Sequence, residues 1–82
     1  MRILCSIHDS KAECWLDLMS FMANGQAIRS FEDAVRGEGQ IAKHPEDFVL
    51  FAVGEFDELS GSLVVYDAPR VLEKGINLKV GE

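Results

Sequence analysis

The 82-residue chain contains no apolar run longer than the six residues Phe48–Val53. A helix that crosses a bilayer needs about 20 apolar residues, so the sequence offers no membrane span. The stretch Met1-Arg2-Ile3-Leu4-Cys5 lacks the apolar core and small-residue cleavage site of a signal peptide. The expectation is a cytoplasmic protein.

Cysteine and histidine are scarce. Cys5 and Cys14 stand among apolar neighbours with no CxxC pattern, and read as reduced, small, buried side chains. A disulfide needs an oxidising compartment and suitable geometry, and the sequence signals neither. Cys5, His8 and Cys14 do not have a standard zinc spacing. His44 precedes Pro45 and reads as a solvated or capping imidazole, as does His8. Ser10 lacks a nucleophile elbow. Gly37-Glu38-Gly39 lacks the further glycine, the lysine and the preceding strand of a phosphate loop. We expect no enzyme, no cofactor and no metal.

Positive charge is sparse as well. Eight Lys/Arg against 14 Asp/Glu give a net charge of −6. The excess is spread evenly, with four basic and six acidic groups in residues 1–41 and four and eight in residues 42–82. Strong nonspecific DNA binding draws its affinity from phosphate contacts to a basic patch, so the composition disfavours it. Apolar residues make up 48% of the chain and charged residues 27%, an ordinary globular balance that argues against disorder. The length fits one domain, residues 1–82.

The organising stretch is Phe48–Val53, bounded by Pro45 and Gly54. It reads as a strand buried on both faces, with Phe48, Leu50 and Ala52 on one and Val49, Phe51 and Val53 on the other. Residues 2–7 alternate and predict an N-terminal strand that ends at the polar cluster His8–Lys11. In residues 12–22, Trp15, Leu18, Met19 and Met22 have helical spacing but Phe21 does not. This segment is either a short amphipathic helix or an apolar loop packed on the sheet. Trp15 and Phe21 read as core, with stacking on unpaired bases as the alternative.

Residues 26–36 are the clearest helix, with Ala27, Ile28, Phe31, Ala34 and Val35 on one stripe. Asn24 or Gly25 is the expected cap, Gly37 ends the helix, and residues 37–44 are a loop. Arg29 with Glu32, and Asp33 with Arg36, have i,i+3 spacing on the wet side. Residues 56–66 predict a hairpin with Gly61 in the left-handed position. Pro69–Lys74 fits one helical turn, and Ile76–Val80 alternates as a last strand.

The expected fold class is α+β: a small, mainly antiparallel sheet of about four strands with one principal helix (residues 26–36) packed on a face. One helix covers one face, so Val49, Phe51, Val53, Val64 and Tyr66 are the expected self-association surface of a homo-oligomer. Arg29 and Arg36, seven residues apart, with Lys43 and Lys11, form the candidate DNA surface. Glu46, Asp47, Glu55, Asp57 and Glu58 bracket the central strand and read as a solvated acidic rim.

Four blocks of the chain resemble a family: Asp9-Ser10-Lys11-Ala12-Glu13, Ala27 to Val35, Lys43-His44-Pro45-Glu46-Asp47-Phe48, and Gly54-Glu55-Phe56-Asp57-Glu58. In this order they are similar to the small nonstructural (ORF 5) protein of gokushoviruses, tiny single-stranded DNA phages of the Microviridae. The resemblance implies a DNA-binding accessory of viral replication in the cytoplasm of the bacterial host. It would help switch from duplex to single-stranded genome synthesis, touching viral DNA, viral or host replication proteins, or both. The alternative is an adaptor whose acidic rim docks a basic partner without touching DNA.

Overall fold

A computed structural model describes residues 1–78. β1 (Arg2–Asp9) lies inside the sheet. It pairs on one side with β4 (Phe48–Phe56) and on the other with the short strands β2 (Cys14–Trp15) and β3 (Met19–Phe21). β5 (Leu63–Lys74) pairs with β4 and forms the far edge. Every pairing is antiparallel. The described residues therefore form the expected α+β architecture, a mostly antiparallel sheet with one main helix.

The alternation of β1 sorts the sheet into two faces, because residues paired across strands share a face. On one face lie the odd residues: Ile3 with Glu55, Cys5 with Ala52, Ile7 with Leu50, and Asp9 with Phe48. α1 (Asn24–Val35) covers this face. Its Ala27, Phe31 and Val35, one turn apart, interlock with Cys5, Ile7, Phe48 and Leu50 to form the core. Burial also pushes the Cys5 thiol pKa up.

The even residues face the other way, and no helix among the described residues covers them. β4 keeps both sets of partners through a bulge at Val53, where the β1 pairing shifts between Leu4 and Cys5. Gly54 follows the bulge, and a side chain there would collide with the Val64 carbonyl.

Several sequence expectations are corrected. Within residues 12–22, where a short helix or a packed loop was expected, the chain forms the two short strands β2 and β3, joined by residues 16–18. Cys14 is exposed, not buried. The α1 N-cap is Ala23, without a side-chain cap; Gln26 instead accepts the Met22 N–H at 2.8 Å. Within the 37–44 loop, Gln40–Lys43 turns once as α2, followed by a 3-10 turn at Pro45–Asp47. Pro69–Lys74 is strand, not helix. Proline fits there because β5 is an edge strand among the described residues and Pro69 falls in its stretch without a β4 partner. Gly75–Leu78 is a helical turn, α3, where alternation predicted strand; Lys79 and Val80 lie outside the described residues.

The β4–β5 hairpin forms as predicted, with Gly61 at φ +80°. Its loop is organised by Asp57, whose carboxylate accepts the Leu59 N–H and the Ser60 hydroxyl, each at 3.0 Å. The Leu59 bond, then the Ser60 bond, hold the Asp57 carboxyl below its ordinary pKa.

Candidate nucleic-acid interface

The uncovered face is built around one tight turn. The Asp9 carboxylate accepts the N–H groups of Lys11 (3.0 Å) and Ala12 (3.3 Å). Glu13 adopts a left-handed φ of 57°, which reverses the chain so that Trp15 pairs with His8. The Ser6 hydroxyl donates to the Leu16 carbonyl at 3.0 Å, and the Leu16 N–H donates to Ile7 at 2.8 Å. These bonds pin the returning segment against β1.

The Trp15 ring is thereby set between two others. Its centroid lies 4.9 Å from Phe51 at 59° and 4.9 Å from His8 at 62°. Trp15 remains 44% exposed. The sequence expectation that it is core is therefore revised, whereas Phe21 does pack against the core.

Register extends this face row by row. Trp15, His8, Val49 and Lys74 form one row, and Ser6, Phe51 and Val71 the next. Then come Ser20, Leu4, Gly54 and Val65, and finally Arg2, Phe56 and Leu63. Arg2 is held by a 2.7 Å bond from its Nε to the Ser20 hydroxyl. None of these residues carries a carboxylate.

The carboxylates of the paired rows sit on the other side. Asp9, Glu55 and Glu73 pair with Phe48, Ile3 and Leu50. Glu55 accepts the Tyr66 hydroxyl at 2.8 Å, and the Arg70 guanidinium lies 3.8 Å from the centre of the Tyr66 ring. The bond to Glu55 raises the Tyr66 pKa.

The sequence-nominated cations are dispersed. Arg29 and Arg36 project from the outer side of α1. Arg36 pairs with Glu32 at 3.8 Å, an i,i+4 contact in place of the expected i,i+3 pairs. Arg29 makes no ion pair among the described residues. Lys43 is exposed at the end of α2. Lys11 lines a groove with Asp9, Glu46 and Asp47, so carboxylates surround its charge.

The five nominated self-association residues do not share one surface. Val49 and Phe51 belong to the open face, Val64 and Tyr66 to the opposite side, and Val53 to the bulge. The acidic rim also divides. Glu46 and Asp47 precede β4, while Asp57 and Glu58 follow it, about 30 Å away at strand rise.

Ligand atoms of His44, Glu46 and Asp47 lie within 4.8 Å of one another, an exposed group that by itself assigns no metal. Cys5 and His8 occupy opposite faces of β1, so the Cys5–His8–Cys14 set does not converge. A mostly apolar cleft of about 460 Å³ lies where α1 ends, between Leu16, Ile41 and Phe48, with Asp9 and Glu38 among its lining.

Sequence reasoning missed Arg2, Lys74, His8 and Phe51 as neighbours on one surface. The parity of β1 carried the signal for His8 and Arg2. Lys74 was hidden by its assignment to a helical turn.

No helix among the described residues is long and apolar enough to cross a membrane. No curated protein and no solved structure matches the chain. A family model does, described as phage ORF5 protein, and it spans residues 2–78. The chain therefore belongs to the phage ORF5 protein family and is a bacteriophage nonstructural protein.

Proposed function

We propose that this protein is a non-enzymatic accessory of viral DNA replication in the cytoplasm of the bacterial host. It binds DNA, alone or together with viral or host replication proteins, and promotes the switch from duplex to single-stranded genome synthesis. Family membership supports a phage role. The observation that carries the DNA reading is the segregation of charge in an acidic protein. The sheet face that no described helix covers holds Arg2, Lys74 and aromatic rings, while the carboxylates of the paired rows lie on the other side.

Self-association is part of this reading: Val64, 49% exposed on the side of the sheet opposite Trp15, gains cover from a second copy. The test is fluorescence anisotropy of labelled single-stranded and duplex DNA against the protein over a salt series. Saturable binding that weakens with salt is expected. If the folded protein binds neither form at low salt, direct DNA contact is wrong. The net charge of −6 then favours the acidic adaptor.

A further inference from the structure

We infer that the open sheet face is a stacking platform for unpaired nucleotides, with Trp15 and Phe51 as its base-contacting rings and Arg2 and Lys74 as its phosphate contacts. This inference rests on the DNA-binding reading above. It moves the contact surface from the outer side of α1 to the opposite side of the sheet, and it names single-stranded nucleic acid as the ligand class.

Three features of the face support the assignment. First, Trp15 is presented rather than packed away, with half-buried Phe51 beside it. Trp15 leans on Phe51 and His8, but nearly half of its surface stays open. Aromatic side chains on an exposed antiparallel sheet offer flat apolar area to bases, and every unpaired base has a face to stack. In a duplex those faces are already covered by neighbours.

Second, the charge on this face suits a polyanion. Lys74 closes the Trp15–His8–Val49 row, and Arg2 opens the row with Phe56 and Leu63. The two cations therefore stand about 20 Å apart along the strands, three pleats from residue 2 to residue 8. The carboxylates nearest this face are marginal. Asp17 lines a groove beside Trp15, Asp67 lies in the unpaired kink of β5, and Glu58, which pairs with the N-terminal amine at 3.3 Å, lies close enough to Arg2 for the two charges to attract. The paired rows of this face carry two cations and no carboxylate, so a phosphate meets less repulsion here than the net charge of −6 implies.

Third, the platform is held in place before any ligand arrives. The Asp9 turn, the Ser6–Leu16 bond and the bond from the Ser10 N–H to the Asp47 carbonyl at 2.9 Å fix the segment that carries Trp15. Less ordering is then left for binding to impose.

Trp15 is the only tryptophan, so intrinsic fluorescence reports on this face directly. The wild-type chain is titrated with oligothymidylate, with a duplex of equal length, and with oligouridylate, at several salt concentrations. The expected result is quenching of Trp15 by both single-stranded oligomers and little by the duplex. Trp15→Ala, followed by anisotropy, is expected to weaken binding about 5- to 150-fold, and Trp15→Phe to restore most of it. Two phosphate contacts predict a shallow salt slope of about −1.4 in log K against log salt. The four cations nominated from the sequence, Arg29, Arg36, Lys43 and Lys11, would give about −2.8.

Trp15→Ala is tolerable for folding because the ring is partly exposed, and circular dichroism checks it. Binding without quenching, abolished by Arg29→Glu with Arg36→Glu, would overturn the platform and keep the DNA reading. Absence of binding to every oligomer would overturn both. A concentration-dependent dimer in which Trp15 is shielded from acrylamide would overturn the platform in favour of a second copy on this face.

Discussion

The two faces of the sheet are made by the same strands and have opposite character. On the α1 side, Phe48 is 5% exposed and Leu50 1%. On the open side, Val65 is 76% exposed and Val71 53%. Both faces are apolar in sequence, yet only one is used as a core. A small domain with one long helix can bury one face of a sheet. The apolar residues of the other face are then available for something outside the fold.

The sharpest way to break this contrast uses two phenylalanines on β4. Phe48→Ala empties the core and is expected to cost about 3–5 kcal/mol. Phe51→Ala removes a half-buried ring and is expected to cost about 1–1.5 kcal/mol, roughly half the gain from full burial. Urea unfolding at several protein concentrations measures both. Equal costs would mean that the open face is closed in solution.

Gly54 gives a smaller effect. It belongs to an open-face row yet is buried, because the Val64 backbone passes over it. Gly54→Ala is expected to cost about 1–3 kcal/mol through a forced backbone shift. Unfolding midpoints give the cost, and amide shifts of Val64 and Val65 locate it.

Tyr66→Phe probes the α1-side rim and is expected to cost at most about 1 kcal/mol, since the bond to Glu55 is only partly buried. Its pH dependence has a definite sign. The folded pKa of Tyr66 is raised from 10.0, so the protonated hydroxyl is favoured by folding. The contribution is complete below pH 10 and disappears as pH rises through the raised value. A tyrosinate absorbance titration of folded and unfolded chain checks the direction, and Glu55→Gln should reduce the shift.

The main helix, β4, β1 and the hairpin were legible because each has a strong period or a turn residue of clear meaning. The stripe Ala27–Phe31–Val35 and the left-handed Gly61 are examples. β2 and β3 were not legible, since strands of two and three residues are defined by their partner in β1 and not by any pattern of their own. β5 was misread because Pro69 opens helices as readily as it sits in edge strands, and only the sheet order decides between them. The same gap hid the candidate interface. Trp15 acquires a face only through its pairing with His8, and Lys74 only through Val49. The dispersed lysines and arginines drew attention to the wrong side because charge is visible in sequence and register is not.

The position of β1 also has a kinetic consequence. It pairs with β4 across residues 10–47, so that Arg2 meets Phe56 and Asp9 meets Phe48. That long loop must close before α1 gains the β1–β4 surface it packs on, and the closure entropy is lost before the contacts repay it. Refolding is thus expected to be slow for so short a chain, in the millisecond-to-second range of topologies dominated by distant pairings. During synthesis the first strand waits, unpaired on its β4 side, until more than half of the chain has followed it, which leaves β1 exposed to stray association before the sheet is complete.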